Sequence, residues 1–433
     1  MNINIINKKE PKNRLEQKKI PDSCNSKARG YQLQRNIFAD YIYCFLRNFD
    51  ISSAIWVLYL DYRGLPLWQI GALEGIFHIA SMLFEVPSGA IADLCGRKKV
   101  MIIGRLLYMI AAIIQITSGN FFLFAVAFVI NAFSYNLNSG TEEAFLYDTM
   151  KALKSEHKYM KVNSNINMII EISSGIATFI GGVLAQYSYV LCYSFVIILA
   201  LISILPALFF VEPDIDKQRK EKSKKDQEEG NIFITHAKIC YDICRKDTQV
   251  FKILLFFPIV ETFYMIIYFY GQKYFSNMGY NKIQISLVML FVGIMACLGA
   301  FFSTRILKWL QNKTRYVISI LLGMAIGCLF IQVPIISIAA FGVSGFLNAV
   351  LYPIQSEALN KRIPSAQRAT IISISSMFYS VCMVGLFPLS GALAQIIGLK
   401  TVFGLLGLFL VLLVFFIQVK YNQKQEKELV ERI

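Results

Sequence analysis

Long apolar stretches alternate with short polar connections along most of this chain. A membrane-spanning helix needs roughly 20 apolar residues, and twelve stretches approach or exceed that length. They lie near residues 37–60, 70–92, 100–118, 121–141, 165–187, 189–211, 249–271, 283–304, 316–333, 335–357, 370–395 and 399–419. The division between the eighth and ninth stretches is the least distinct, and Pro334 marks a very short turn after the ninth. The pattern predicts an all-α integral membrane protein with twelve transmembrane helices.

The composition supports the same class. Of the 433 residues, 56% are apolar and 16% are charged, and the mean hydropathy is +0.52, which excludes a soluble domain. The chain starts with more than thirty mostly polar residues, so we predict no cleavable signal peptide. Nine cysteines are scattered along it. Cys240 and Cys244 have no further ligand at a suitable spacing, so we predict free thiols and no metal site.

The net charge of +15 could suggest nucleic-acid binding, but the positions of the charges exclude it. Of the 43 lysines and arginines, 37 fall in connections on one side of the predicted membrane and 4 on the other. Positive charge concentrates on the cytoplasmic side of membrane proteins. We therefore predict a multi-pass protein of the cytoplasmic membrane with both termini inside. The basic tail and the run 217–225 lie where they can contact anionic lipid.

A charged segment divides the chain into two halves that contain faint repeats. Three short motifs recur in order at offsets of 215, 214 and 209 residues: Gly64-Leu-Pro-Leu-Trp-Gln-Ile70 with Gly279-Tyr-Asn-Lys-Ile-Gln-Ile285, Glu143-Ala-Phe with Glu357-Ala-Leu, and Gly182-Val-Leu-Ala-Gln186 with Gly391-Ala-Leu-Ala-Gln395. Drifting offsets of this kind indicate duplication, so we predict two six-helix pseudo-repeats. The predicted units are a basic tail (1–36), a six-helix bundle (37–211), a cytoplasmic linker (212–248), a second six-helix bundle (249–419) and a cytoplasmic tail (420–433).

The turn between the second and third stretches carries the most specific motif. It reads Glu85-Val-Pro-Ser-Gly-Ala-Ile-Ala-Asp-Leu-Cys-Gly-Arg-Lys-Lys99. Its Gly, Asp and Arg-Lys landmarks resemble the signature loop of the major facilitator superfamily. The resemblance implies alternating access around a central site, with a conformational gate at Gly89, Asp93, Gly96, Arg97 and Lys98. It also implies that Asp93 pairs with Arg97 and lies against the start of the eleventh helix, near residues 369–370.

Finer features of the motifs resemble one branch of the superfamily, the tetracycline exporters, and depart from the motifs of drug–proton antiporters. Glu85, Pro87, Asp93 and the Arg-Lys pair look like the variant signature of clostridial-type tetracycline exporters, which implies a drug-efflux-like branch. The helix 4 motif of proton-coupled exporters has an arginine where this chain has Asn136. In the helix 5 antiporter motif, only the final glycines remain in 177–182.

Ionisable residues inside predicted spans are functional candidates because their burial in lipid is costly. Carboxylates in a cavity of low dielectric constant can load and release protons near neutral pH, and a histidine titrates in the same range. We expect proton coupling mainly in the first half. The candidates are Arg47, Asp50, Glu74, His78, Glu85, Glu171 and Glu261. Arg47 and Asp50 are three residues apart and could instead neutralise each other, and Glu142 is expected to be solvated at a helix end.

Polar stripes on other spans predict a substrate cavity. Its candidate residues are Asn131, Tyr135, Asn138, Tyr264, Tyr268, Asn348, Tyr352 and Gln355. We find no catalytic nucleophile motif and no nucleotide-binding loop, so we predict a non-enzymatic monomer without cofactors. It would move a small amphipathic compound outward by using an ion gradient. A nutrient importer or uniporter on the same fold, or a transport-inactive membrane sensor, remains an alternative.

Overall fold

The computed structural model describes residues 22–213, 248–362 and 368–417, and within these ranges the chain is helical without β-strands. The first half contains α1 (Asp22–Asn48), α2 (Trp56–Tyr62), α3 (Leu67–Cys95), α4 (Arg97–Thr117), α5 (Phe121–Ala152), α6 (Tyr159–Tyr187), α7 (Tyr189–Ile202) and α8 (Ile204–Leu208). The second half contains α9 (Thr248–Asn277), α10 (Lys282–Leu310), α11 (Thr314–Cys328), α12 (Pro334–Arg362), α13 (Arg368–Ile397) and α14 (Leu399–Phe416).

Eleven segments of the described chain are long and apolar enough to cross a membrane. They coincide with the second to twelfth predicted stretches, and α7 and α8 together form the sixth. Several helices extend beyond the apolar stretch at the end where the basic connections lie, α5 by eleven residues and α12 by five. The helix ends are therefore more polar than the apolar pattern alone indicates, because helices can continue into the interfacial region.

The first predicted stretch, 37–60, is not one continuous helix. Helix α1 begins at Asp22, and the chain leaves the helix at Phe49 before α2 starts at Trp56. The Asp50 carboxylate accepts hydrogen bonds from the backbone N–H of Ser52, at 2.9 Å, and from its hydroxyl, at 2.6 Å. Short polar side chains of this kind compete with helical hydrogen bonding. The break therefore follows from an Asx turn that hydropathy does not detect.

The bundle has two distinguishable ends. We call the end where α3 meets α4 the basic end, because most basic residues of the described chain lie in connections on that side, and the other the opposite end. At the basic end Gly96 has φ of +91°, a conformation that favours glycine. This residue allows α4 to begin immediately after α3. At the opposite end Gln332 adopts a left-handed conformation, φ +56°, just before the short turn at Pro334.

The two halves touch closely at the opposite end through glycines. A Cβ atom on Gly71 of α3 would lie 2.7 Å from Cα of Pro388 on α13, and one on Gly182 of α6 would overlap Ser286 of α10. The Tyr270 hydroxyl lies 3.0 Å from the Leu67 carbonyl oxygen and 3.2 Å from that of Phe387. Backbones can approach this closely only where side chains are absent. These contacts close the opposite end.

Polar contacts between α2 and α9 add to this closure. The Gln272 side chain is buried; its amide donates to the Ser53 carbonyl at 3.1 Å, and its oxygen accepts from the Val57 N–H at 3.2 Å. Lys273 forms an ion pair of 2.6 Å with Asp61. These three contacts link the first half to the second at the same end of the bundle.

Candidate functional site

A large cavity of about 750 Å³ lies between the two halves. It extends from Glu74, about two turns from the start of α3, to Asp93 and Arg97 at the basic end. Its second-half wall comes from Met265 and Phe269 of α9 and from three residues of α13. The lining residues are Glu74, Phe77, His78, Ser81, Met82, Glu85, Ser88, Gly89, Ala92, Asp93, Arg97, Tyr135, Asn136, Ser139, Gly140, Thr141, Ala144, Met265, Phe269, Ser376, Tyr379 and Ser380.

A second cavity of about 240 Å³, which we call the deep chamber, adjoins the first. The two share Glu74, Phe77 and Phe269, so these residues form their common boundary. The deep chamber is lined by Asp50, Ser52, Ser53, Trp56, Glu74, Phe77, Tyr108, Ala111, Ala112, Gln115, Phe128, Asn131, Tyr193, Val196, Tyr268 and Phe269. Most of its wall therefore comes from the first half.

The predicted α3 stripe faces the large cavity and reaches the second half. His78 is buried; its Nε2 lies 3.6 Å from Glu74 Oε1, and its Nδ1 lies 3.2 Å from the Ser380 hydroxyl on α13. Two turns farther along the stripe, Glu85 accepts a hydrogen bond of 2.8 Å from the Ser373 hydroxyl. The stripe thus places three titratable groups on one wall, and two of them also bond to the other half.

The alternative in which Arg47 and Asp50 neutralise each other is wrong. Arg47 instead forms a buried ion pair with Glu142 of α5, and the Asp50 carboxylate turns away to bond Ser52 and to line the deep chamber. The helix break at Phe49 removes the three-residue neighbour relation that an unbroken helix would give. The expected solvation of Glu142 is also wrong, because that side chain is buried.

Sequence reasoning missed the buried cluster around this ion pair. The Cys44 thiol donates to Glu142 Oε1 at 2.7 Å, and it also lies 3.9 Å from Asp40 Oδ1. Asp40 is fully buried, and its Oδ2 has no hydrogen-bond partner within the described part of the chain. Asp40 lies seven residues before Arg47, on the same helix face, and this spacing was the available signal. The cluster holds two carboxylates and one guanidinium.

The predicted gate residues form a compact network at the basic end. The Arg97 guanidinium is buried and lies 2.5 Å from the Asp148 carboxylate and 3.9 Å from that of Asp93. Asp148 was not anticipated, because it belongs to the end of α5 and no local spacing relates it to the loop. The expected contact of Asp93 with residues near 369–370 involves side chains outside those that the structure describes.

An acid from the end of the first half binds the start of α4. The Glu212 carboxylate accepts from the Arg97 N–H at 2.7 Å and from the Lys98 N–H at 3.0 Å. Both donors belong to the first turn of the helix, where N–H groups lack helical partners. The Lys98 ammonium donates to the Leu208 carbonyl at 2.7 Å. The gate is thus fastened to the segment that immediately precedes the undescribed residues 214–247.

The predicted substrate residues separate into different locations. Asn131 and Tyr268 line the deep chamber, and Tyr135 lines the large cavity. Asn138 lines neither, because it accepts a 2.6 Å hydrogen bond from the Tyr43 hydroxyl and packs against Gly104. Tyr264 is buried outside both linings, with its ring 6.1 Å from that of Tyr268.

The polar residues predicted to form one stripe on α5 do not all face the same cavity. An ideal helix drifts by about 20° per heptad from a sevenfold spacing, so residues at 0, +4 and +7 need not share one wall. In the structure Asn136 and Ser139 line the large cavity in place of Asn138. Asn136 is held by reciprocal hydrogen bonds with Ser81, of 2.9 Å to its side-chain oxygen and 2.6 Å from its amide to the Ser81 carbonyl.

The remaining candidates lie apart from the two main cavities. Glu261, Asn348, Tyr352 and Gln355 line a small pocket of about 20 Å³ between α9 and α12, which has room for about one water molecule. Glu171 is exposed on α6 and is not among the residues that line the large cavity or the deep chamber. The acidic and imidazole groups that line the two cavities therefore belong to α3 and to the turn after α1. Within the described ranges, no group of three His, Cys, Asp or Glu side chains is arranged to hold a metal ion.

Comparison with known proteins identifies the fold family. The family model described as Major Facilitator Superfamily matches residues 41–337, more than half of the chain. The chain belongs to the major facilitator superfamily. It is 25% identical over 376 residues to the uncharacterized MFS-type transporter YxaM of Bacillus subtilis, covering 84% of this chain and 89% of that protein. An uncharacterized MFS-type transporter of Methanocaldococcus jannaschii is 22% identical over 44% of this chain and 49% of its own length.

Solved structures share the fold at low sequence identity. A mutant of the nucleoside transporter NupG superposes with a TM-score of 0.74 at 16% identity, over 89% of this chain and 98% of that one. A D-xylose-proton symporter gives a TM-score of 0.64 at 16% identity, over 88% of this chain and 96% of the other. The predicted fold class is confirmed. As a member of the superfamily, this chain is a membrane transporter of small molecules rather than an enzyme.

Proposed function

We propose that this protein is a proton-coupled exporter that moves a small amphipathic compound out across the cytoplasmic membrane. The observation that carries the proposal is the bridge at the inner limit of the large cavity, where His78 contacts Glu74 of its own helix and Ser380 of the other half. A side chain that can accept a proton and also holds the two halves together can couple proton binding to their separation.

The charge distribution supports the orientation. With the basic end at the cytoplasm, as the 37-to-4 distribution of lysine and arginine favours, both termini lie inside. The large cavity then extends toward the cytoplasm, and the glycine contacts close the outer end. This arrangement is the inward-facing state, in which an exporter collects its substrate.

The roles of the acids follow from their positions. Glu74 lies at the boundary of the two cavities, so it is the primary proton carrier, and Glu85 lies nearer to the basic end on the same wall. Asp50 faces the deep chamber. Glu261 is set apart in its small pocket, and Glu171 is outside both cavities, so we assign neither to the main proton path.

The gate at the basic end completes the cycle. Arg97 is held by Asp148 within the first half, while Asp93 keeps a longer contact of 3.9 Å to it. Asp93 is therefore the partner that can exchange its contact when the cavity closes at the basic end. This role accounts for the variant signature, whose resemblance to tetracycline exporters supports efflux.

The test is transport by the purified protein in liposomes with an imposed pH gradient. The panel contains tetracycline, aryl amines, a nucleoside, D-xylose and a dipeptide, and trapped pyranine reports proton movement. We expect at least one amphipathic compound to move against its gradient with counter-movement of protons. Uphill transport of the nucleoside, sugar or dipeptide together with protons would instead identify an importer, and transport indifferent to the pH gradient would identify a uniporter.

Variants then test the coupling site. Glu74→Gln should abolish uphill transport but retain exchange of substrate across the membrane, because exchange needs no net proton movement. Glu143→Gln is the matched control, since it removes the same charge from an exposed position outside both cavities. Full uphill transport by Glu74→Gln would contradict the assignment of the proton carrier.

A further inference from the structure

The deep chamber combines acidic groups with a nearly continuous aromatic wall. Its aromatic rings are those of Trp56, Phe77, Tyr108, Phe128, Tyr193, Tyr268 and Phe269. The Trp56 ring packs edge-on against Phe269, with centroids 5.3 Å apart, and lies 6.0 Å from Phe128. An aromatic face attracts a cation through its quadrupole, most strongly when the cation leaves water. Aromatic walls of this kind recognise quaternary ammonium groups.

The charges that face the chamber have one sign. Asp50 and Glu74 are its acidic residues, and no lysine or arginine is among its lining residues. The guanidinium of Arg105 lies 4.7 Å from the centroid of the Tyr108 ring and donates to Ser203 at 2.7 Å, so it is behind the wall. Arg105 also interacts electrostatically with Asp50, but on the wall itself an anionic ligand would meet two carboxylates and no cationic side chain. A cation would meet both carboxylates and the rings.

The size of the chamber limits what enters it. Sites for drug-sized ligands have volumes of roughly 300–1,000 Å³, and the chamber has about 240 Å³. It therefore accepts a compact group only, while the adjoining cavity of about 750 Å³ has room for a larger apolar body. The amides of Gln115 and Asn131 and the hydroxyls of Ser52 and Ser53 provide additional polar contacts along the wall.

We propose that the substrate is an organic cation whose compact ammonium head group binds in the deep chamber between Asp50 and Glu74. This inference rests on the proposed function in one respect, namely that the two cavities form the substrate path. The head group contacts the rings of Trp56 and Phe269, and the apolar remainder of the molecule lies in the large cavity. Sugars, nucleosides and organic anions lack the positive charge that this site selects.

The experiment measures binding rather than transport, so it is independent of proton coupling. The chain has three tryptophans. Trp68 and Trp309 are exposed and lie outside both cavities, so Trp68→Phe and Trp309→Phe leave Trp56 as a single fluorescent reporter within the chamber. The ligands are benzyltrimethylammonium, its uncharged isostere neopentylbenzene and the anion phenylacetate. Isothermal titration calorimetry on the unmodified chain provides a second measure of affinity.

We expect benzyltrimethylammonium to change Trp56 emission saturably and to bind at least tenfold more tightly than neopentylbenzene, with no binding of phenylacetate. Asp50→Asn should weaken the cation at least tenfold, equivalent to about 1.4 kcal/mol. It leaves the amide oxygen to accept from Ser52, which preserves the local turn. Glu143→Gln, an exposed acid on α5, should leave affinity unchanged.

Equal affinity for the cation and its neutral isostere would overturn the proposal, because the chamber would then be merely apolar. Tighter binding of phenylacetate would overturn it as well. Both comparisons need no substitution in the chamber, so they decide the question even if Asp50→Asn does not fold. If the cation binds as expected and no pH-driven transport occurs, the proton-coupled function fails and the head-group site stands.

Discussion

The ion pair between Arg47 and Glu142 should contribute strongly to stability, with an asymmetry that the structure defines. The perturbation is removal of either charge, as Arg47→Met or Glu142→Met, and of both together. Breaking a buried pair by removal of one partner costs about 3–5 kcal/mol, because the other charge stays uncompensated. The exposed fractions of the two side chains are 16% and 8%, so solvent screens the pair little.

The neighbouring Asp40 makes the two single substitutions unequal. Without Arg47, the Asp40 and Glu142 carboxylates share a buried site that has lost its guanidinium. The unfolding free energy should therefore fall by about 5 kcal/mol. Without Glu142, Arg47 keeps Asp40 as a nearby opposite charge, so the unfolding free energy should fall by about 3 kcal/mol. The double variant retains only Asp40, which can be protonated, and should lose less than the two single variants combined.

The assay is the free energy of unfolding in bicelles, from denaturation in SDS followed by near-ultraviolet circular dichroism. Glu143→Met is the matched control on the next position of α5, and because its side chain is exposed the change should be within about 0.5 kcal/mol. The reasoning is refuted if the two single losses simply add in the double variant, or if Glu142→Met is the more destabilising. Additive losses would mean that Arg47 and Glu142 do not neutralise each other, and a larger loss from Glu142→Met would mean that Asp40 does not compensate Arg47.

Three further outcomes are expected. Glu212→Ala should lower the unfolding free energy by about 1–2 kcal/mol, because the carboxylate accepts hydrogen bonds from two N–H groups at the start of α4. A smaller loss from Glu212→Ala than from Glu212→Gln would contradict this. Gly181→Ala should lower the unfolding free energy by about 1–3 kcal/mol or more, because its Cβ would overlap the Ile51 carbonyl. The control Gly140→Ala places its Cβ in open space, so its melting temperature should not change. Asp93→Asn should slow transport in liposomes without lowering the folded yield, because Arg97 keeps its second carboxylate partner; an unchanged rate would show a merely solvated turn.

The arrangement of helices could be predicted because it depends on a strong local signal. Apolar stretches, proline and glycine positions, and the basic turns are each visible within one segment of sequence, and the structure confirms eleven of the spans almost as predicted. The first predicted span is interrupted because the Asp50 side chain accepts a hydrogen bond from the backbone N–H of Ser52, two residues later. Hydropathy averages over such a contact and cannot detect it.

The site could be predicted only where one helix face settles the geometry. Glu74 and His78 are four residues apart on α3, so their proximity follows from helical periodicity alone. The partners Asp148 and Glu212 come from distant parts of the chain and were missed, because packing between helices and not local spacing brings them to Arg97. The deep chamber is of the same kind, since its wall combines residues of α2, α3, α4, α5, α7 and α9.

The Tyr270 hydroxyl has a consequence for how the closed end can separate. It lies in a slot between Gly71 and Gly391 and within 3.2 Å of carbonyl oxygens from both halves. Separation would leave these polar groups without partners unless water enters, and an unmet buried group costs about 1–3 kcal/mol. Opening of this end is therefore a hydration step whose equilibrium depends on water activity, so large osmolytes that cannot enter the gap should hold it shut.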